Sequence, residues 1–195
     1  MIDPRPTGRT VLVTGGAGGI GAAISRASAA QGARVAVHCL AQDPAPPASR
    51  QWAHVTPAAE RAEQSTRRLG DDSFAVGADL SGPDAARRPA EAVAQRTGPV
   101  DVLVDDAAHC QTPDSIDTLT SDSLERHYRV DAVAPALLTA EAARLRRGQE
   151  PLSVSNVGTD AAHAFPGRTG YGTIWRHKHV TNERPCKVID EANTA

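Results

Sequence analysis

The stretch Thr14-Gly15-Gly16-Ala17-Gly18-Gly19-Ile20-Gly21 constrains this 195-residue chain more than any other. It lies between two segments of opposite character. Before it, Thr10 to Val13 is a short β-branched apolar run that reads as a buried strand. After it, the alanine-rich Ile20 to Gln31 reads as a helix and Arg34 to Cys39 as a second buried strand. Strand, glycine turn, helix and strand make a βαβ unit, which implies a parallel sheet. In that setting the glycines have separate tasks. One allows a tight turn at positive φ, another lets the backbone come close to a pyrophosphate, and a third lets the helix pack on the strand. The helix start then offers free N–H groups and a partial positive charge to the phosphates. A plain glycine-rich turn is the competing reading, and placement on the first βαβ unit favours binding.

The alternation continues downstream. Ala41 to Thr56, with Pro44, Pro46 and Pro47, opposes both helix and strand and reads as an exposed loop. Pro57 to Leu69 reads as a helix, Ser73 to Ala78 as a strand, Pro83 to Arg96 as a helix and Val100 to Val104 as a strand. Ser121 to Arg147 is expected to be one long helix, with a kink at or near Pro135. Leu152 to Val157 reads as a fifth strand, and a helix is expected to begin near Tyr171. The predicted fold is α/β and doubly wound (Rossmann-like), with about five mostly parallel strands and helices on both faces. Its ligand site is expected at the carboxyl ends of the strands, near the switch point.

Composition narrows the function. A formal net charge of -2 gives no electrostatic case for nucleic acid or an anionic membrane. No run of about 20 apolar residues is present to predict a span, and the N-terminus lacks the apolar stretch of a signal peptide. Cys39, Cys110 and Cys186 match no zinc or redox spacing, so a reduced, cytoplasmic protein with no metal site is expected. The same holds for Trp175-Arg176-His177-Lys178-His179, whose two histidines are not a helical i, i+4 pair.

Thr14-Gly15-x-x-x-Gly19-Ile20-Gly21 resembles the fingerprint of the short-chain dehydrogenase/reductase family, and further segments match downstream. Asp79-Leu80 looks like the family's adenine-contacting pair. Asp105-Asp106-Ala107-Ala108 looks like an altered Asn-Asn-Ala-Gly. Asp131 with Ala134-Pro135 resembles the Asn-x-x-Ala-Pro helix segment. Asn156-Val157-Gly158-Thr159 resembles the strand end that carries the catalytic serine, and Pro166-Gly167 with Tyr171-Gly172 the approach to the catalytic tyrosine. The resemblance spans roughly residues 8 to 172. It implies an NAD(P)-dependent oxidoreductase that moves a hydride between nicotinamide and a small carbonyl or alcohol substrate. Thr14, Gly15, Gly19, Ile20, Gly21, His38, Asp79, Leu80, Asp105 and Ala107 are the implied cofactor-binding residues. Where the family places an acid to bind the ribose hydroxyls of NAD, this chain has His38-Cys39-Leu40. That removes the usual barrier to a 2′-phosphate and favours NADP(H) over NAD(H). Arg50 is a candidate for that phosphate, against the plainer reading of a solvated arginine.

The implied catalytic residues are Tyr171, Thr159 and Asp131, and they depart from the family pattern. Tyr171 stands at the proton-donating tyrosine. Thr159 is nearest the serine, one residue too close to Tyr171, and its β-branch restricts the hydroxyl. Asp131 replaces the asparagine, cannot donate when ionised, and discourages a tyrosinate nearby. Trp175 stands four residues after Tyr171, where the resemblance implies a lysine that lowers the tyrosine pKa. An unperturbed tyrosine, with a pKa of about 10, is only about one part in a thousand phenolate at pH 7. Alcohol oxidation should suffer more than carbonyl reduction. Lys178, on the same helical face but about 4.5 Å further along, is a weak substitute. Residues 1–172 are expected to form the dinucleotide-binding domain and 173–195 a divergent tail. Both lysines, Lys178 and Lys187, lie in that tail. Missing the family's later strands, the fifth strand would be an open edge, which predicts modest stability or self-association, such as a homo-oligomer. Two functions stand: a carbonyl-reducing enzyme, or a catalytically impaired or silent relative that binds a dinucleotide.

Overall fold

The computed structural model describes residues 7–40, 42, 44–53, 59–70, 72–146, 150–159, 169–171 and 174. Pro57, the Pro166-Gly167 pair, Gly172, Trp175, Lys178 and the tail other than Ile174 lie outside them.

Seven strands run through the described residues: β1 (Thr10–Thr14), β2 (Arg34–Cys39), β3 (Gln51–Trp52), β4 (Phe74–Gly77), β5 (Val102–Asp105), β6 (Gln111–Thr112) and β7 (Ser153–Asn156). Five form one parallel sheet in the order β4-β2-β1-β5-β7. The chain winds outward from β1 through β2 to β4, then crosses to β5 and β7. The direction reverses between β1 and β5, so the switch point lies at their carboxyl ends. The helices are α1 (Gly19–Ala30), α2 (Ala59–Arg67), α3 (Arg87–Thr97), α4 (Ser121–Tyr128) and α5 (Ala134–Leu145).

Period-two alternation divides the strands between two cores. Leu12, Ala36 and Leu103 pack with Phe74, Val76 and Leu152 and with Val93 of α3 and Leu138 of α5. Val11, Val13, Val35, Val37 and Val104 point the other way, against Ile24 and Ala29 of α1 and Leu69 beyond α2. Helices therefore cover both faces, and the continuous apolar runs of β1 and β2 follow from burial on both sides.

Three expectations needed correction. The proline-rich segment is not wholly a loop, because β3 pairs antiparallel with β6 in a small separate ribbon. The long helix is two helices joined by a widened π turn, Arg129–Val133. Pro135 has no N–H for the carbonyl four residues before it, Asp131, and its ring crowds that carbonyl. The ladder shifts to a five-residue step just ahead of it, with the Ala134 N–H donating to the Arg129 carbonyl. The helix read from Pro83 begins at Arg87.

Leu12 is fully buried at the centre of the sheet, whereas Leu137 is 48% exposed on α5. Leu12→Ala should lower unfolding stability by about 2–5 kcal/mol, and Leu137→Ala by less than about 0.5 kcal/mol, as read from urea midpoints.

Candidate functional site

The turn after β1 and the loop after β5 meet at the switch point. Thr14, at the end of β1, accepts N–H bonds from Asp106 (3.0 Å) and Ala107 (3.1 Å) on one hydroxyl oxygen. Gly15 follows at φ +65°, and a Cβ there would stand 3.1 Å from the Ala107 backbone. The approach needs glycine on both counts. At Gly21 a Cβ would lie 2.6 Å from the Gly15 carbonyl oxygen and 2.7 Å from Asp106 Oδ2, so the start of α1 packs directly on the turn and on that carboxylate.

These elements leave a cleft of about 310 Å³ at the carboxyl ends of β1, β2, β4 and β5. Gly15, Ala17 and Gly19 line its floor, His38 to Leu40 and Ala78 to Leu80 one wall, and Asp106 to His109 the other. Arg126 and Val130 close one end. Of the residues implied from sequence, Gly15, Gly19, His38, Asp79, Leu80 and Ala107 line the cleft. Thr14 and Asp105 are buried beneath it, Gly21 serves packing, and the Ile20 side chain is 61% exposed at the start of α1. Helix α1 follows Gly18 as its N-cap, with no side-chain cap and no acid in its first turn. Among the described residues, the N–H groups of Ala17, Gly19 and Ile20 reach no backbone acceptor. A helix start of this kind is ready to receive an anion.

His38 ties the glycine turn to the end of β4. Its Nδ1 accepts the Gly15 N–H at 3.3 Å, which leaves Nε2–H to donate to the Ala78 carbonyl at 3.1 Å. Both bonds require a neutral imidazole. Burial agrees, pushing its pKa from 6.5 down to about 4, against the raising effects of the Ala78 carbonyl and the Asp79 carboxylate. Beside it, burial first and the Glu63 carboxylate second push the Cys39 thiol up, which disfavours the thiolate.

The catalytic candidates lie apart from this floor. Asp131 is fully buried in the π turn, where Oδ1 accepts the His109 N–H at 2.7 Å and Oδ2 lies 3.4 Å from His127 Nδ1. Tyr171 sits in a helical turn whose amides are capped by Asp114, with Gly170 N–H (2.8 Å) and Tyr171 N–H (3.0 Å) donating to the carboxylate. The His127 ring joins the two regions, 5.9 Å edge-on from the Tyr171 ring and 4.8 Å from that of His109, a cleft residue. The structure thus brings Tyr171 and Asp131 together around His127. Thr159 is half-buried, three residues beyond β7. Arg50 does not serve the cleft: it donates to the Thr118 carbonyl (2.5 Å) and to Thr120 Oγ1 (3.3 Å), ahead of α4. Sequence reasoning missed His109, His127, Asp114 and Arg126. Only the His127–Asp131 pair carried a local signal, the helical i, i+4 spacing. Among the described residues no cluster of His, Cys, Asp or Glu suits a metal ion, and no helix is long and apolar enough to cross a membrane.

The neutral His38 sets a pH dependence. Its folded pKa lies below its unfolded value, so the unfolded chain takes up more protons between them. Stability should be full above about pH 6.5 and fall by about 3 kcal/mol as pH drops through about 4. Urea unfolding across that range should show the slope, and His38→Gln should flatten it.

Comparison with known proteins assigns the fold and the glycine turn together. The short chain dehydrogenase family matches residues 9–173. An oxidoreductase of Methylorubrum extorquens is 30% identical over 154 residues, 78% of this chain and 56% of that protein. A versicolorin reductase of Emericella nidulans is 26% identical over 86% of this chain and 58% of its own length. This chain therefore spans little more than half of either relative. Among solved structures, a short chain dehydrogenase from Burkholderia cenocepacia in complex with NADP superposes with a TM-score of 0.70 at 29% identity, covering 88% of this chain and 64% of that one. With the family match running from β1 through the Tyr171 turn, this chain belongs to the short-chain dehydrogenase/reductase family.

Proposed function

We propose that this chain binds a nicotinamide dinucleotide in the cleft and reduces a carbonyl group of a small molecule, taking NADP(H) in preference to NAD(H). The observation that carries the reading is the start of α1, where the Ala17, Gly19 and Ile20 amides stand without backbone acceptors beside a glycine floor. A pyrophosphate fits that chemistry, with Asp79 and Leu80 framing the adenosine end and Ala107 the opposite wall. The dinucleotide supplies the hydride when bound.

Cofactor preference turns on the end of β2. His38 is neutral and already committed to Gly15 and Ala78, and Cys39 and Leu40 add no carboxylate. A 2′-phosphate therefore meets no repulsion from this strand, and the related structure from Burkholderia cenocepacia is in complex with NADP. One carboxylate works against binding. Asp106 lines the cleft and approaches the start of α1, competing with any other anion there.

Tyr171 is assigned the proton for the substrate oxygen, with its backbone held by Asp114, and Thr159 is assigned the hydroxyl that polarises the carbonyl. Reduction uses the protonated phenol, the abundant form at pH 7. The substrate is a ketone or aldehyde.

Fluorescence titration of the purified protein tests the reading. NADPH should bind saturably and more tightly than NADH. Tyr171→Phe should keep that binding and lose about 10² to 10⁴ of the reduction rate. Failure of a folded sample to bind either nucleotide would overturn it in favour of a silent relative. In the same titration Asp106→Asn should tighten NADPH roughly fivefold, for removal of about 1 kcal/mol of repulsion.

A further inference from the structure

A second cavity, of about 580 Å³, lies between the proline-rich segment and its ribbon on one side and α4 on the other. Its walls continue those of the first cleft. The end of β2 leads from Leu40 in the cleft to Pro44 in the cavity, and the end of β4 leads from Leu80 to Ser81. Arg126, on α4, lines both.

Two side chains of this cavity carry donors with no acceptor. Gln111, in β6, is only 3% exposed, and its Nε2 is buried without a hydrogen-bond partner among the described residues. Its terminal amide turns about a soft torsion, so the same side chain can present its N–H groups to the cavity. Arg126 Nε is likewise buried without a partner, whereas the terminal guanidinium nitrogens remain uncovered. The guanidinium lies 5.2 Å from the centroid of the Trp52 ring and makes no hydrogen bond or ion pair among the described residues. Buried donors without acceptors are uncommon in folded proteins, and each calls for a reason.

The charges around the cavity leave Arg126 in surplus. Arg50, Arg126 and Arg129 line it against Asp122 and Glu125. Arg129 is paired with Glu125 at 2.7 Å, and Arg50 is held by the Thr118 carbonyl and Thr120 Oγ1. Asp122 stands in the first turn of α4, where the helix dipole already favours it. An unpaired guanidinium and an unpaired amide, brought from separate elements to one cavity, suit an anion with several oxygens. A phosphate monoester has three, and two of them match the guanidinium fork.

We propose that the second cavity binds a phosphate monoester, with Arg126 supplying the charge and Gln111 a neutral donor. The binding needs neither the hydride nor the proton of the reductive reading. Two sources share this chemistry. One is the 2′-phosphate of a dinucleotide in the adjoining cleft, reaching past the end of β2. The other is the phosphate of a separate small molecule.

The full chain has two tryptophans, Trp52 and Trp175. Trp175→Phe leaves Trp52, beneath the Arg126 guanidinium, as the one indole reporter. Its emission is titrated with inorganic phosphate, 2′-AMP and 5′-AMP, and calorimetry on the unsubstituted chain runs in parallel. Inorganic phosphate and 2′-AMP should bind saturably. Arg126→Gln should weaken both about tenfold or more, for loss of a charged hydrogen-bond donor, and Arg126→Lys should recover part of the loss. Gln111→Met should weaken both about fivefold and leave the empty chain no less stable, because it removes an orphaned donor. If Arg126→Gln weakens 2′-AMP and leaves 5′-AMP unchanged, the phosphate is the cofactor's. If it weakens the two nucleotides alike, the phosphate belongs to a separate molecule. Absence of phosphate binding by both readouts, or binding that Arg126→Gln leaves intact, would overturn the proposal. Should Arg126→Gln fail to fold, Gln111→Met carries the test, and unchanged phosphate binding there overturns it. Phosphate held at Arg126 by a chain that binds neither NADPH nor NADH would defeat the cofactor reading and leave this site standing. Dinucleotide binding with no phosphate binding at Arg126 would do the reverse.

Discussion

The close contact between the end of β1 and the end of β5 is the constraint on which the cleft depends. One hydroxyl, that of Thr14, takes the amides of Asp106 and Ala107, and Gly15 comes so near Ala107 that a side chain would have to displace backbone. The two halves of the sheet diverge from this point. Were the contact looser, the loop after β5 would drift from the start of α1, and the wall and floor of the cleft would lose their register. His38 extends the same constraint sideways. Its neutral ring fixes the Gly15 amide and the Ala78 carbonyl, so the ends of four strands, β1, β2, β4 and β5, are bound around one hydroxyl and one imidazole.

The parts of the fold that were legible in the sequence share one property: they arise from short-range pattern. Val11 and Val13 against Leu12, or Val35 and Val37 against Ala36, already imply two buried faces. The glycine turn implies both its geometry and the helix that follows. The ribbon was not legible, because Gln51–Trp52 is two residues long, follows a proline-rich segment, and finds its partner at Gln111–Thr112 some 60 positions later. The π turn was half legible. Pro135 announced a disturbance, but the five-residue step at Ala134 depends on how the ladder accommodates it. Site residues divide the same way. Those on the glycine turn and strand ends could be placed by order along the chain, whereas Asp114 meets Tyr171 across 57 positions and His109 meets Asp131 across 22. Arg50 shows the converse error, since sequence offered its charge to a phosphate and the fold spends it at the front of α4.

The substitutions that look damaging in sequence sit in different physical settings. Asp106 is at the start of a helix, where the dipole favours a carboxylate and a second anion must compete with it. Asp131 has one oxygen satisfied by a backbone amide and the other turned to an imidazole. Both replace a residue able to donate with one that, ionised, only accepts, yet the outcomes differ. The first lines the cleft beside the start of α1, where a second anion would meet its charge. The second lies fully buried beside the His127 ring, 3.4 Å from Nδ1.

This distinction bears on the direction of the chemistry. Trp175 places no cation one helical turn after Tyr171 in the sequence, so a phenolate must find positive charge elsewhere. The His127 ring meets the Tyr171 ring edge-on at 5.9 Å, and its Nε2 makes no hydrogen bond among the described residues. A fixed cation would stabilise the phenolate at all times, whereas an acid that starts as the neutral phenol needs none, because an unperturbed tyrosine is protonated at pH 7. Such an arrangement suits a tyrosine that spends most of its time protonated and gives its proton away briefly. A carbonyl oxygen receiving a hydride makes that demand, and an alcohol awaiting deprotonation does not. The reductive reading proposed above therefore asks less of this site than alcohol oxidation would.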